Sequence, residues 1–444
     1  MMARAFLVIV LALLAAPVSA LPIEIVKSPQ GIIGWLVEDH SVPVVSIQFA
    51  FRGGVEQDPT GAQGLSAMLA DMMTEGAGRR DAAQYQQALA DHGIAFGLSS
   101  ERDVISGALR ALRADLPVAA GLACDALLKP RFEQADLDRV RRDHTGTIKG
   151  RLSDPEWQAR RAMFTALFPG HPYAMRSFGT EAGIAAITRQ DLRQEHRRRF
   201  ARDNLLVAAA GDITPATLGQ LLDRIFGALP AKAELRPVAD IAAPDQGSAV
   251  HIHQDGGQSV LLFAAPGIKR DDPDWHAAVI LNYALGGGGF SSRLMDEVRD
   301  RRGLTYSIGT SLSAMDHAGI IIGQASTANA KAGEAWDTAR AVWRRTAQDG
   351  ITAEELAGAQ SYLIGSLPTQ FTSTGAIAGA LVDLQQENLP PDYLDRRAGL
   401  FNAVTLADVA RVAQRLLDPS RLTLVAVGNP QGIQFDRAEK FVEE

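Results

Sequence analysis

The 444-residue chain has a single cysteine, Cys124, so no internal disulfide can staple it and its stability has to come from packed cores. Cys124 lies in an apolar stretch at residues 118–128 and is expected to be a buried thiol. Basic clusters on the scale of a nucleic-acid arm are lacking, and the formal net charge is −7, which argues against DNA or RNA as a partner. Arginine-rich spots such as Glu195-His196-Arg-Arg-Arg199 read as the solvated face of a helix. Beyond residue 20 no run of about 20 apolar residues occurs, so no membrane span is expected in the mature chain. Also missing are a G-x-x-x-x-G-K-[ST] nucleotide loop and a G-x-S-x-G elbow around Ser66, Ser291 or Ser292, which leaves nucleotide and serine-hydrolase chemistry without support. With 46% hydrophobic and 21% charged residues the chain has no bias toward disorder.

What is present begins with Arg4, an apolar run at residues 5–16, Pro17 and the small-residue end Val18-Ser19-Ala20. This is the pattern of a secretory signal peptide over residues 1–20, and an exported chain without disulfides fits a bacterial periplasm. The remaining length suits two domains, and the sequence repeats itself accordingly. Asp58-Pro59, preceded by the strand-like Val45-Ser-Ile-Gln-Phe-Ala50, returns 214 residues later as Asp272-Pro273 behind Ser259-Val-Leu-Leu-Phe-Ala264. Asp191 after Thr188 returns 217 residues later as Asp408 after Thr405, and Gly211 returns as Gly428 at the same offset. Units this long are duplicated domains rather than solenoid repeats. Residues 230–247, rich in proline and without apolar period, read as a linker between domains at 21–229 and 248–444. Short β-branched runs alternating with long helical ones imply α+β architecture, a mixed and mostly antiparallel sheet packed on helices in each copy. Thr188 and Thr405 stand where helix N-cap hydroxyls are wanted, each with an acid three residues on.

The most telling stretch is Gly64-Leu-Ser-Ala-Met-Leu-Ala-Asp-Met72, followed in chain order by Phe168-Pro-Gly-His-Pro-Tyr173, Gly179-Thr-Glu181, Leu285-Gly-Gly-Gly-Gly-Phe-Ser-Ser-Arg-Leu294 and Arg302-Gly-Leu-Thr-Tyr306. Together these resemble the pitrilysin/insulinase family of zinc peptidases, processing-peptidase-like subunits included. In that family the first stretch carries an inverted H-x-x-E-H helix whose two His bind zinc while the Glu acts as base. Here Ala67 stands at the first His, Ala70 at the Glu and Asp71 at the second His, while Thr147 matches the third ligand, a downstream Glu. Two methyl groups, a hydroxyl and one carboxylate do not make a zinc site, which needs about three protein ligands. The resemblance therefore implies a non-catalytic member without cofactor of its own, its two homologous domains forming one half of a clam-shell.

The same resemblance assigns Arg299 and Tyr306 to the pair that reaches from a non-catalytic half toward the partner's zinc and holds the substrate carbonyl. An always-charged guanidinium and a phenol donor suit that task. Arg301 and Arg302 compete for the arginine role on spacing alone. The expectation is a non-catalytic subunit of a heterodimeric zinc metallopeptidase acting on peptides, its partner a paralogue with intact H-x-x-E-H. A scaffold or peptide-binding relative with no peptidase partner is the alternative. Gly286-Gly-Gly-Gly289 suits either flexible backbone near a peptide channel or a plain turn. His251 and His253 share a strand face but have no third ligand beside them, and His144 and His171 are read as structural.

Overall fold

Alternating side chains in each half build a six-stranded sheet, and five of the six strands follow the same topology in both. The computed structural model describes residues 21–439; the signal peptide expected at residues 1–20 lies outside the described residues. The first sheet is made of β1 (Glu24–Lys27), β2 (Ile33–Glu38), β3 (Val44–Arg52), β4 (Ala95–Ser100), β5 (Val104–Leu112) and β6 (Leu205–Gly211), in the order β1-β2-β6-β3-β5-β4. The second contains β7 (Ala249–His253), β8 (Gln258–Pro266), β9 (Ile308–Ala314), β10 (Gly319–Ala328), β11 (Thr423–Gly428) and β12 (Arg437–Glu439), in the order β12-β7-β11-β8-β10-β9. In each sheet an early strand of the half lies parallel to a late one, β2 on β6 and β7 on β11. Their neighbours β3, β5 and β4, and likewise β8, β10 and β9, are antiparallel. The outermost position differs: β1 pairs antiparallel with β2, whereas β12 arrives from the chain's far end and pairs parallel with β7.

One pair of residues marks the duplication in three dimensions. The Phe49 ring lies over its cross-strand partner Gly107, where a Cβ would sit 2.1 Å from the ring, and Phe263 lies over Gly323 in the same way at 2.3 Å. Only glycine fits under either ring.

Each sheet is covered on both faces, one of them by the other half. Val45, Ile47, Phe49 and Phe51 of β3 point to the first half's own helices, and the intervening Ala50 faces away with Ala208 and Ala210 of β6. Onto that small-residue face packs the helix Thr374–Gln386 of the second half, burying Ile377, Leu381 and Leu384. In return the helix Pro155–Leu167 of the first half lies on the second sheet, with Ala159 and Met163 against Val260, Leu262 and Val427. Fully burying one such side chain contributes about 1.5–3 kcal/mol, so these crossed helices couple the halves.

Two sequence expectations need correction. The Glu195–Arg199 segment is not a solvated face: Arg199 is fully buried and Glu195 nearly so, because the two pair with each other at 2.8 Å and Arg199 also reaches Asp58 at 3.2 Å. Cys124 is half-buried on the helix Leu116–Leu128 rather than enclosed in the core. Residues 230–247 have no helix or strand but are pinned to both halves, Arg236 N donating to Gln57, His171 Nε2 to the Ala239 carbonyl and Ile241 N to the His317 carbonyl. Of its side chains only Ala243 is buried.

Candidate functional site

The helix Leu65–Met72 starts at Gly64, whose φ of +97° only glycine adopts cheaply, and at its crossing with Gly179 neither residue has room for a Cβ. Its first turn is anchored from below. Asp58 accepts the N–H groups of Gly64 and Ser66, each at 3.0 Å, and Arg199 donates to Asp58, Ser66 and the Gly54 carbonyl. The frame that would hold a metal-binding helix is thus fully built.

The chemical groups are not there. Ala70 is buried in the core, Ala67 borders a cavity, and Thr147, on the neighbouring helix Gln134–Arg151, spends its hydroxyl on the Asp143 carbonyl of its own helix at 2.9 Å. Asp71 is taken by a residue one helical turn before Thr147: His144 Nε2 donates to its carboxylate at 2.6 Å. The His144 ring is buried and stacks on Phe178 at 4.6 Å, and its Nδ1 has no partner. Sequence reasoning gave His144 only a structural role; the helix spacing from Thr147 was the signal that pointed back to Asp71. Zinc does not fit this set, and among the described residues no group of three His, Cys, Asp or Glu converges as a metal site.

The cavity beside Ala67 and Asp71 has a volume of about 360 Å³. Leu98, Ser99 and Ser100 of the outer strand β4 form one wall, and arginines and aromatic rings of the helix Pro155–Leu167 and its surroundings form the others.

Arg299 and Tyr306 stand together in the second half, on either side of the turn at Gly303, whose φ is +60°. Arg299 Nε donates to the Tyr306 carbonyl at 3.1 Å, its guanidinium lies 4.8 Å from the centre of the Phe290 ring, and it pairs with Asp300. Tyr306 is 87% exposed and Phe290 71%. The competing arginines are engaged otherwise, Arg301 with Asp296 and Glu297 and Arg302 with Glu334. The glycine run before Phe290 is tightly packed: a Cβ on Gly286 would strike Thr310 at 2.5 Å, and one on Gly288 would lie 2.8 Å from the Tyr283 carbonyl. Behind it Arg293 clamps Glu355 with two bonds of 2.6 Å.

Other residues singled out from the sequence serve the seam or the sheets. In the Phe168–Tyr173 turn, His171 accepts from Tyr173 N, and the buried Tyr173 hydroxyl donates to Asp103 at 2.6 Å while accepting from His317 N. Burial beside Asp103 pushes the Tyr173 phenol up. Glu56, in the same cluster, is pushed up to about 8 by burial and by the charge of Asp103. His251 meets the Gly428 carbonyl and stacks on Phe435, and His253 turns to Asp255.

Comparison with known proteins matches two consecutive stretches of the chain to two family models. Residues 35–174 match the family described as insulinase (peptidase family M16), and residues 186–363 match the one described as peptidase M16 inactive domain. Among similar curated proteins is the non-peptidase homolog YmxG of Helicobacter pylori, 24% identical over 397 residues that cover 88% of this chain and 90% of that one. Another is an uncharacterized zinc protease of Mycobacterium tuberculosis, 29% identical over 332 residues, 72% of this chain and 73% of its own. A crystal structure described as the peptidase M16 inactive domain from Pseudomonas fluorescens superposes with a TM-score of 0.86 at 27% identity, covering 93% of this chain and all of that one.

Proposed function

Because the chain belongs to the insulinase (M16) peptidase family, we propose that it is a member that cannot cleave peptides alone and serves as the non-catalytic subunit of an exported, periplasmic zinc peptidase. One observation carries this reading. The helix at the position of the family's metal-bearing one is fully supported at its start by Gly64, Asp58 and Arg199, while Ala67, Ala70, Asp71 and Thr147 leave no ligand set. A firmly held helix without metal chemistry suits a chamber wall. The partner subunit, a paralogue with intact H-x-x-E-H, supplies the zinc and the base.

Arg299 and Tyr306 are then this chain's contribution to the shared site. The exposed phenol of Tyr306 and the Arg299 guanidinium, which is bonded to the Tyr306 main-chain carbonyl, donate hydrogen bonds to the scissile carbonyl as charge builds on its oxygen. Phe290 holds the guanidinium from behind by a cation–π contact.

Co-expression of the mature chain with an exported H-x-x-E-H relative from the same organism, followed by size exclusion and metal analysis, tests the assignment. The expected result is a stable heterodimer with zinc confined to the relative, its interface within or above the usual range of about 1,200–2,000 Å². A chain that stays apart from every such relative, or holds one zinc by itself, contradicts it, and the first of these outcomes supports a scaffold instead.

A further inference from the structure

Losing a metal site requires only that its ligands be lost; it does not call for positive charge in the space they leave. Yet the cavity at Ala67 is walled by Arg102, Arg151, Arg160, Arg161 and Arg176, in a chain whose net charge is −7. Asp71 is the one carboxylate on its lining, and His144 already holds it. Several of the arginines are fixed by ring faces and carbonyls. Arg102 lies 4.0 Å from the centre of the Phe164 ring and donates to the Tyr173 carbonyl at 2.7 Å, Arg161 lies 4.1 Å from that of Trp157, and Arg176 donates to the Arg161 carbonyl at 2.9 Å. Among the described residues Arg102, Arg151 and Arg160 form no ion pair. Clefts lined by one sign of charge focus the field and concentrate the opposite ion, and guanidinium forks match carboxylates in geometry.

The remaining walls narrow the kind of anion. Leu98, Ser99 and Ser100 belong to β4, the outermost strand of its sheet, whose outward backbone groups are left for another strand to pair. Leu98, Trp157, Phe164 and Phe178 add apolar surface between the charges, and the volume reaches the range of about 300–1,000 Å³ in which ligands are held. We propose that this cavity binds an extended peptide segment through its acidic side chains. The proposal rests on the reading of the chain as a peptide-handling subunit and deepens it by naming the charge of the peptide.

Binding to the isolated mature chain keeps the test independent of any partner. The probes are a labelled ten-residue peptide carrying glutamates among small apolar residues, its glutamine and lysine counterparts, and inorganic phosphate, followed by fluorescence anisotropy and competition. The glutamate peptide is expected to bind about tenfold or more tighter than the glutamine one and to weaken with salt. Combined Arg151→Glu and Arg160→Glu, both at exposed positions, should cost about tenfold or more, while Arg193→Glu, exposed on another helix, should cost less than about twofold. Equal binding of the glutamine peptide, tighter binding of the lysine peptide, or an undiminished double variant overturns the proposal. Phosphate binding as tightly as the peptide overturns it in favour of a small anion. Failure here with a heterodimer still formed removes only the acidic substrate class, whereas acidic binding without a heterodimer removes the subunit reading.

Discussion

Asp71 spends its carboxylate on a buried histidine. The carboxylate cannot make a metal site, but it satisfies His144 Nε2, a buried donor that would otherwise be stranded beneath Phe178. A buried donor left without a partner costs about 1–3 kcal/mol, so Asp71→Ala should destabilise the chain by that amount in urea unfolding. Thr147→Ala, which removes only a bond to the residue's own helix, should change stability by less than about 0.5 kcal/mol. Equal effects of the two would mean that the Asp71–His144 contact carries no weight. The pair also explains why re-creating ligands is more than swapping side chains: Asp71→His takes away the acceptor that His144 uses.

At the scale of elements, the helix Leu65–Met72 is held by a sealed ion pair whose counterpart in the second half stays near the surface. Arg199 and Asp58 are both fully buried, whereas in the second half Asp272 is met at 2.8 Å by Arg415, one position before the match of Arg199, and Arg415 is 46% exposed. Removing one partner of a buried pair strands the other charge and costs about 3–5 kcal/mol. Arg199→Ala should therefore lower the denaturation midpoint far more than Arg415→Ala, where an exposed pair contributes at most about 1 kcal/mol. Similar losses from both would contradict the sealed-anchor account. Much of this layer was legible in the sequence. Strands over 44–51 and 104–109 and the helix at 116–128 follow from apolar period, and Thr188 and Thr405 do form capping boxes with Asp191 and Asp408. What period did not reveal is where a helix goes. The helices Pro155–Leu167 and Thr374–Gln386 have ordinary patterns, and nothing local states that each crosses to the other half. The burial of Glu195 and Arg199 was hidden for the same reason, since their partner Asp58 lies far away in the chain.

In the whole molecule the halves meet along a seam where Glu56, Asp103 and Asp316 gather around Tyr173 and His317, with Arg52 bonded to Asp316. Glu56 titrates near 8 when folded, against 4.5 when free, so between those values the folded chain keeps a proton that the unfolded chain has released. Its contribution is then fully present below about 4.5 and is lost as pH rises through about 8. Glu56→Gln should remove that slope, its stability relative to wild type growing as pH is raised from 6 to 8.5 in a series of urea midpoints; curves that stay parallel would contradict the assignment. The crossed helices bury apolar side chains along this seam. The Arg299, Phe290 and Tyr306 cluster was legible only as motif positions; that Arg301 and Arg302 are engaged with carboxylates emerged from the geometry. The central claim is that this chain lends those donors to a reaction it cannot perform, and the kcat of the assembled peptidase measures it most directly. Arg299→Ala or Tyr306→Phe should each lower kcat by on the order of 10²–10³ with zinc content and assembly unchanged, and Arg301→Ala should leave it within about twofold. Full kcat in both site variants of an active complex would contradict the claim and leave the chain a wall of the chamber.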